Sequence, residues 1–342
     1  MLKKELGQFY TTNYKYILSN MVIPKDINHI IEPFVGNGDL LEFINSKETY
    51  IIETYDIDSN YENVIKRDTL MNPPNYNNKF VLTNPPYLAR NKSKNKELYD
   101  KYNCNDLYKC FIITLIDNIC EGGIIIIPLN FISSIRKSDI YLRKRFLEKY
   151  SIKIINIFEE QVFNDTKYNV CSMYFMKKLE ENEQEEPIKI YIYPSKKIMD
   201  ITLTKSNNYT IGGEIYNLPQ NDKYKIYRAT RETNENITNI LLKCIDDSIK
   251  NKLGFKVVKD DELFIDDTLN LSARSYATLC INKKLSLEEQ ELLVKNMNDF
   301  INTERNKYNS LFLSNYRESN TIARKRISFD LAFKICNYIL SL

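Results

Sequence analysis

Short runs of aliphatic and β-branched residues alternate with longer stretches of mixed polarity through the first half of the chain. These runs predict strands at residues 29–32, 50–56, 80–83, 124–128, 152–158 and 170–177. Residues 106–119 repeat apolar positions at helical spacing, which predicts a helix that ends before Gly122 and Gly123. The isoleucines at 124–127 are typical of a strand covered on both faces. This alternation predicts an α/β, Rossmann-like domain with a mostly parallel, doubly wound sheet.

The pattern changes at an acidic segment without apolar residues, at residues 180–186, which Pro187 follows. We interpret this segment as a domain junction, with a solvated hairpin loop as the alternative. Beyond it, residues 188–193 alternate as a strand, and residues 285–308 predict a helix that begins near Ser286. The sequence therefore predicts two domains, over residues 1–180 and 187–342, the second of mixed α+β structure.

Composition limits the class of protein. The 43% hydrophobic and 27% charged residues are ordinary for a globular protein, and no apolar run approaches the ~20 residues needed to cross a bilayer. The N-terminus has no signal-peptide pattern, so the expected location is cytoplasmic. The seven cysteines include no Cys-x-x-Cys pair, which predicts buried thiols and no metal.

Charge and histidine content exclude further chemistry. The formal net charge is only +3, but basic residues exceed acidic ones after residue 187, which permits a polyanionic partner there. A plain solvated surface is the alternative. His29, the only histidine, precedes Ile30 and Ile31 at a strand start and is predicted to be structural. A mechanism built on a histidine base is therefore disfavoured.

Acidic residues and a glycine turn follow successive strands. The first turn reads Glu32-Pro33-Phe34-Val35-Gly36-Asn37-Gly38-Asp39 and opens a helical stretch from Leu40. Its glycines allow a tight turn beside a ligand. Leu41 replaces the third glycine of a dinucleotide fingerprint, which argues against NAD. Asp56 ends the next strand, where a carboxylate can accept both ribose hydroxyls, and Asp68 could accept from an adenine amino group. Together they predict an adenosine site.

The strand at residues 80–83 leads into the motif Asn84-Pro85-Pro86-Tyr87. This places a rigid polar turn beside an aromatic ring, which suits chemistry on a planar amine. A second Asn-Pro-Pro occurs within residues 71–75, without a preceding strand or a tyrosine. The tripeptide alone therefore means little, and its surroundings carry the interpretation.

The motifs in this order resemble those of N6-adenine DNA methyltransferases. They are Gly7-Gln8-Phe9-Tyr10-Thr11-Thr12, Glu32 to Gly38, Asp56, Asp68, and Asn84 to Tyr87. The resemblance covers roughly residues 5–178. It is closest to the gamma class, because too few residues separate Asp68 from Asn84 for a recognition domain, whereas a long region follows the last predicted catalytic-domain strand.

The resemblance implies S-adenosylmethionine as cofactor and a residue for each part of it. Tyr10 and Thr11 match the ligands of its methionine end, and Glu32, Gly36 and Gly38 match the turn around it. Asp56 matches the ribose ligand, and Asp68 matches the adenine ligand.

The resemblance also implies the catalytic roles. The Asn84 side-chain oxygen and the Pro85 carbonyl would accept hydrogen bonds from the amino group of a flipped-out adenine, with Pro86 fixing the backbone. Tyr87 would stack on the base. Phe163 matches the aromatic on the other face of the base, with a core position as the alternative.

The partner is expected to be double-stranded DNA, read by residues 187–342 as a target-recognition domain. The candidate DNA contacts, for which ordinary surface charge is the alternative, are Arg274, Arg317, Arg324, Lys325 and Arg326. The resemblance implies a monomer of bacterial, phage or large-DNA-virus origin. A restriction endonuclease that acts on the same site is the partner it allows.

Two other functions stay open at this stage. RNA adenine and protein glutamine methyltransferases also use an Asn-Pro-Pro-Tyr turn to hold a planar amino group. A non-catalytic DNA-binding subunit with a decayed methyltransferase fold is the alternative from another class.

Overall fold

A computed structural model describes residues 7, 11–59, 61–163, 169–179, 186–232, 236–248, 250, 252–268, 274–315 and 325–342. The chain divides into two compact units, residues 1–132 with 136–203, and residues 133–135 with 204–342. The first unit thus continues past the acidic segment at 180–186, where the sequence predicted the domain boundary. This boundary was misplaced because residues 188–193 and 197–201 pair into the sheet of the first unit.

The first unit is built on a large mixed sheet. Its strands in the described part of the chain are β1 (His29–Glu32), β2 (Ile51–Asp56), β3 (Ile65–Lys66), β4 (Phe80–Thr83), β5 (Gly122–Pro128), β6 (Tyr150–Phe158), β7 (Val170–Lys177), β8 (Ile188–Tyr193) and β9 (Lys197–Ile201). Their order is β3-β2-β1-β4-β5-β7-β6-β8-β9. Strands β3 to β5 are parallel, whereas β7 is antiparallel to both its neighbours and β9 to β8. The predicted α/β class and all the strands predicted for this half are confirmed.

Short helices connect these strands. They are α1 (Tyr14–Ile17), α2 (Glu97–Lys101), α3 (Leu107–Asp117), α4 (Asn130–Ser133) and α5 (Lys137–Lys149), with 3₁₀ helices at Asp39–Phe43, Lys47–Thr49 and Arg90–Lys92. The helix predicted over 106–119 is confirmed as α3. The helical stretch predicted from Leu40 is only the 3₁₀ turn Asp39–Phe43, which begins after Gly38 in the left-handed conformation, φ 82°.

Aliphatic and aromatic side chains form the core of this unit. The isoleucines at 124–127 on β5 are all 0% exposed, as the uninterrupted apolar run predicted. The rings of Phe146, Tyr150 and Phe175 pack with centroids 4.8–5.1 Å apart. Burying each such side chain stabilises the fold by roughly 1.5–3 kcal/mol, so this core holds the parallel strand ends in place.

The second unit has a smaller antiparallel sheet. Its strands are β10 (Ile226–Arg228), β11 (Ile237–Lys243), β12 (Gly254–Val257) and β13 (Tyr276–Ile281), in the order β10-β13-β11-β12, with a separate pair β14 (Ser314–Asn315) and β15 (Lys325–Arg326). Its helices are α6 (Leu287–Lys307) and α7 (Phe329–Ser341). Ser286 caps α6 by accepting from the Glu289 amide, as predicted. No described helix is both long and apolar enough to cross a membrane.

Candidate functional site

A cleft lies at the carboxyl ends of the parallel strands β1, β2 and β4. It holds about 950 Å³ of space, its solvent-exposed mouth included. Its lining residues are Phe34, Gly36, Asp56, Ile57, Arg67, Asp68, Thr69, Leu70, Asn84, Pro86, Leu88, Ser93, Asn95, Leu98, Tyr99 and Leu107. The edge of an α/β sheet where the parallel strands end is the usual place for a ligand. Five of the residues singled out from the sequence therefore meet in one cleft.

The glycine turn and Asp56 are fixed to each other. The Gly36 amide donates to Asp56 Oδ2 at 2.9 Å, and the Asp58 amide donates to Oδ1 at 2.9 Å. Gly36 has φ 53°, a left-handed conformation that favours glycine, and its carbonyl accepts from the Ser59 hydroxyl at 2.6 Å. The Asp56 carboxylate is thus held rigidly, with lone pairs remaining for a ligand.

Asp68 is held in a similar way at the next position along the sheet edge. Its Oδ1 accepts from the amides of Leu70 at 3.0 Å and Met71 at 2.9 Å. Its Oδ2 makes no hydrogen bond to the residues that the structure describes. The cleft therefore has two acidic positions from adjacent turns, each with acceptor capacity to spare.

Glu32 lies beneath the glycine turn and not in the cleft lining. It is 1% exposed, and its Oε1 accepts from the Thr83 hydroxyl and from the Phe34 amide at 3.3 Å. Its Oε2 is buried without a hydrogen-bond partner in the described part of the chain. Burial raises the pKa of Glu32 to about 8, and the charge of Asp56 adds to this. Glu32 is accordingly protonated over most of the neutral range.

The Asn84 side chain is held between two neighbours. Its Nδ2 donates to Thr11 Oγ1 at 3.0 Å, and its Oδ1 accepts from the Tyr87 hydroxyl. Pro86 lines the cleft, whereas Pro85 is buried. The structure thus places Asn84 at the cleft, with its side-chain oxygen engaged by Tyr87.

Tyr87 is packed under the cleft and does not line it. It is 1% exposed, and its hydroxyl also donates to the Ile126 carbonyl at 2.6 Å. Burial raises the pKa of Tyr87 well above its usual value. The Tyr87 amide donates to the Gly7 carbonyl at 3.0 Å, and a side chain at Gly7 would collide with the Tyr87 backbone. The N-terminal and Asn-Pro-Pro-Tyr motifs are thus joined, but Tyr87 presents no open face to the cleft.

The remaining predicted site residues lie outside the cleft lining. Thr11 is 3% exposed and Phe163 is 4% exposed, so the core position considered for Phe163 describes its place in this structure. Gly38 has φ 82° and lies against the Tyr61 ring. Tyr10 lies outside the described residues.

The apolar walls of the cleft were not identified from the sequence. They are formed by Phe34, Ile57, Leu70, Leu88, Leu98, Tyr99 and Leu107. Several directly follow a motif residue, as Ile57 follows Asp56, and that adjacency is the signal that could have found them. Leu98, Tyr99 and Leu107 come from α2 and α3, where no local pattern marks a ligand. None of residues 71–75, the second Asn-Pro-Pro, lines the cleft.

The candidate DNA contacts lie in the second unit. Arg274 is exposed. Lys325 and Arg326 form β15, which pairs with β14, and their side chains are half-buried. The other two, Arg317 and Arg324, lie outside the described residues.

His29 and metal ligands take no part in the cleft. His29 Nε2 is 2.8 Å from Glu53 Oε1, which Lys79 also approaches at 2.7 Å, so His29 belongs to a structural ion-pair cluster as predicted. No group of three or more His, Cys, Asp or Glu side chains able to hold a metal was found among the described residues.

Comparison with known proteins identifies the first unit. Residues 17–163 match the Eco57I restriction-modification methylase family. The chain carries an Eco57I-type methylase domain. This domain contains the glycine turn, Asp56, Asp68 and the Asn84 motif, so the resemblance seen in the sequence is confirmed over the region that builds the cleft.

The Eco57I-type methylase is also similar to individual proteins. The type II methyltransferase M.BsuBI of Bacillus subtilis is 24% identical over 237 residues, covering 56% of this chain and 46% of the relative. The chain thus spans about half the length of that curated relative.

Solved structures with a similar fold include two from restriction-modification systems. A modification subunit of a putative type I restriction enzyme from Vibrio vulnificus has a TM-score of 0.41 and 13% identity, covering 56% of this chain and 49% of its own. The DrdV–DNA complex has a TM-score of 0.44 and 14% identity, covering 71% of this chain and 35% of its own.

Proposed function

We propose that this chain is a DNA methyltransferase that transfers a methyl group from S-adenosylmethionine to N6 of an adenine in double-stranded DNA. The observation that carries the proposal is the convergence of Gly36, Asp56, Asp68 and Asn84 on one cleft at the ends of parallel strands. The match of residues 17–163 to restriction-modification methylases supports the reaction class.

The cleft fits the chemical groups of S-adenosylmethionine. Asp56, held by two backbone amides, would accept from the ribose hydroxyls, and Asp68 would accept from the adenine amino group. Phe34 and Ile57 offer flat apolar surface to a purine. When bound, S-adenosylmethionine supplies a methyl group on a positively charged sulfur, which is already strongly electrophilic.

The methionine end would be held near the N-terminal motif. Tyr10 and Thr11 remain the proposed ligands, with Glu32, Gly36 and Gly38 shaping the turn. Thr11 and Glu32 are buried, and Thr11 contacts Asn84 directly. The proposed cofactor-binding and catalytic residues are therefore parts of one hydrogen-bonded unit.

Asn84 and Pro85 would activate the adenine. The N6 lone pair is delocalised into the ring, so the amino group is a poor nucleophile until two acceptors hold its hydrogens and localise the pair. The Asn84 Oδ1 and the Pro85 carbonyl are the proposed acceptors. Because Oδ1 now accepts from the Tyr87 hydroxyl, the adenine amino group would replace that phenol. The proton leaves N6 after transfer, so no base is needed beforehand.

The adenine must leave the duplex to reach this cleft, which costs a few kcal/mol. We propose that Tyr87 and Phe163 stack on the flipped base and offset this cost. Both rings are buried in the structure described here, so stacking requires them to move when the base enters.

The second unit is the proposed target-recognition domain. Arg274, Lys325 and Arg326, with Arg317 and Arg324, are the proposed contacts to DNA phosphates and bases. We propose a monomer that protects a DNA site also recognised by a restriction endonuclease.

A methyl-transfer assay tests the substrate class. The chain is incubated with S-adenosylmethionine labelled in the methyl group and with duplex DNA, tRNA, ribosomal RNA or release-factor protein. Label is expected in duplex DNA, at N6 of adenine after nucleoside digestion. Label only in RNA or protein would replace the DNA proposal by the corresponding alternative, and failure to bind the cofactor would favour the non-catalytic subunit.

Asn84→Ala tests the catalytic assignment, with Asn72→Ala as a matched control from the second Asn-Pro-Pro. We expect Asn84→Ala to reduce transfer by at least about 10³-fold while S-adenosylmethionine affinity changes little, because the residue acts on the adenine. Asn72→Ala should retain activity, since residue 72 does not line the cleft. Undiminished transfer by Asn84→Ala would refute its role.

A further inference from the structure

Two cysteine side chains lie close together beside the cleft and have no part in the proposed reaction. The Sγ atoms of Cys104 and Cys110 are 3.0 Å apart, a hydrogen-bond distance for sulfur. Both are free thiols. A disulfide has an S–S length of about 2.05 Å, so the two atoms must approach by roughly one ångström to form one.

The two thiols differ in access and in acidity. Cys104 is partly exposed, whereas Cys110 and the other cysteines are buried. The hydrogen bond from Cys110 lowers the pKa of the Cys104 thiol, with a smaller contribution from the charge of Lys109. The same hydrogen bond, followed by burial, raises the pKa of Cys110. Cys104 is therefore the accessible nucleophile, and Cys110 is the second thiol within its reach.

The pair joins two helices that form part of the cleft wall. Cys110 lies on α3, and Cys104 follows α2, where its amide donates to the Tyr99 carbonyl at 3.0 Å. The Cys110 Sγ lies 3.9 Å from the Leu98 carbonyl. Leu98 and Tyr99 on α2 and Leu107 on α3 all line the cleft. Drawing the two sulfur atoms together therefore acts on this apolar wall.

We infer that Cys104 and Cys110 form an oxidative modification site that reacts with a small disulfide such as oxidised glutathione. The Cys104 thiolate attacks one sulfur of that disulfide, forming a mixed disulfide and releasing one thiol. Cys110 gives its proton to solvent, attacks Cys104 Sγ and expels the second thiol. The pair loses two electrons and two protons, which the small disulfide gains, and an intramolecular disulfide remains.

Peptide mapping tests the modification site. Trypsin cleaves after Lys101 and Lys109, so Cys104 lies on peptide 102–109, and Cys110 lies on peptide 110–136 together with Cys120. After treatment of the folded chain with oxidised glutathione and alkylation of free thiols, we expect these two peptides to be joined by a reducible bond. Without treatment they should be separate.

Matched variants identify the bond. The joined peptides should disappear in Cys110→Ser, which should instead keep a glutathione adduct on Cys104. They should persist in Cys120→Ser, since Cys120 is 0% exposed and bonded to the Gly122 carbonyl. A lasting glutathione adduct on Cys104 of the unsubstituted chain, or no reaction there, would overturn the proposal.

Cofactor titration measures the effect on the cleft, and this step rests on the proposed function. We expect oxidised chain to bind S-adenosylmethionine at least threefold more weakly than reduced chain, and dithiothreitol to restore the affinity. Cys104→Ser should bind equally before and after oxidant. Equal affinity in both states would overturn the coupling to the cleft. No binding by reduced chain would instead count against the proposed function and leave the mapping result standing.

Discussion

At the scale of single residues, Glu32 couples the stability of the methylase domain to pH. Its carboxyl is buried with one oxygen unpartnered, and its pKa rises from 4.5 to about 8 on folding. A group whose pKa is raised on folding favours the folded state at low pH. That contribution is complete below the unfolded pKa of 4.5 and is lost as the pH rises through about 8.

Glu32→Gln should therefore flatten the pH dependence. An amide can still accept from the Thr83 hydroxyl but cannot ionise, so the variant avoids a stability loss of up to about 1.4 kcal/mol per pH unit between pH 5 and 8. Urea unfolding of both chains at several pH values measures the difference. Parallel curves for the two chains would mean that Glu32 is not the group that titrates.

Tyr87 presents a different question, because its ring and its hydroxyl have separate proposed uses. Tyr87→Phe keeps the ring for stacking and removes the donor to the Ile126 carbonyl, so we expect unfolding free energy to fall by about 1 kcal/mol. Methyl transfer should stay within tenfold of the unsubstituted chain. Tyr87→Ala, which also removes the ring, should lose a further ~1–3 kcal/mol of base stacking. Equal kinetics for the two variants would contradict the stacking role.

At the scale of elements, the sequence predicts those strands and helices whose apolar pattern comes from burial on the domain core. The run at 124–127 predicts β5 because every one of its side chains is buried. The pairing on the far side of the sheet could not be predicted, because β6 to β9 depend on contacts between strands distant in sequence. The acidic segment at 180–186 looked like a domain junction because strong polarity marks any solvated connection.

The candidate site divides in the same way. Its polar members, from Gly36 to Asn84, could be predicted because each follows a recognisable strand and the ends of parallel strands meet at one edge. The wall formed by α2 and α3 could not, since an apolar residue that faces a ligand has the same sequence pattern as one that faces the core. The burial of Tyr87 is likewise a result of packing, because the tetrapeptide alone does not say which way the ring turns.

At the scale of the whole molecule, the proposed reaction needs a surface that holds DNA while one adenine leaves the duplex. Binding through phosphates releases counterions, so affinity falls with salt at a slope of roughly 0.9 per phosphate contact. The second unit carries the excess of basic residues, and Lys325 and Arg326 lie next to each other on β15. These two residues allow the surface to be tested.

Replacing both Lys325 and Arg326 by alanine should reduce the salt slope of duplex binding by up to about 1.8, because each side chain is proposed to contact one phosphate. Since β15 pairs through its backbone with β14, alanine can retain that pairing. The control replaces Lys144 and Lys149 on α5 of the first unit, which should leave the slope unchanged. Salt titrations by fluorescence anisotropy measure the slopes, with thermal unfolding as a check on folding. If the control pair lowers the slope and the β15 pair does not, the DNA surface belongs to the methylase domain and the proposed role of the second unit fails.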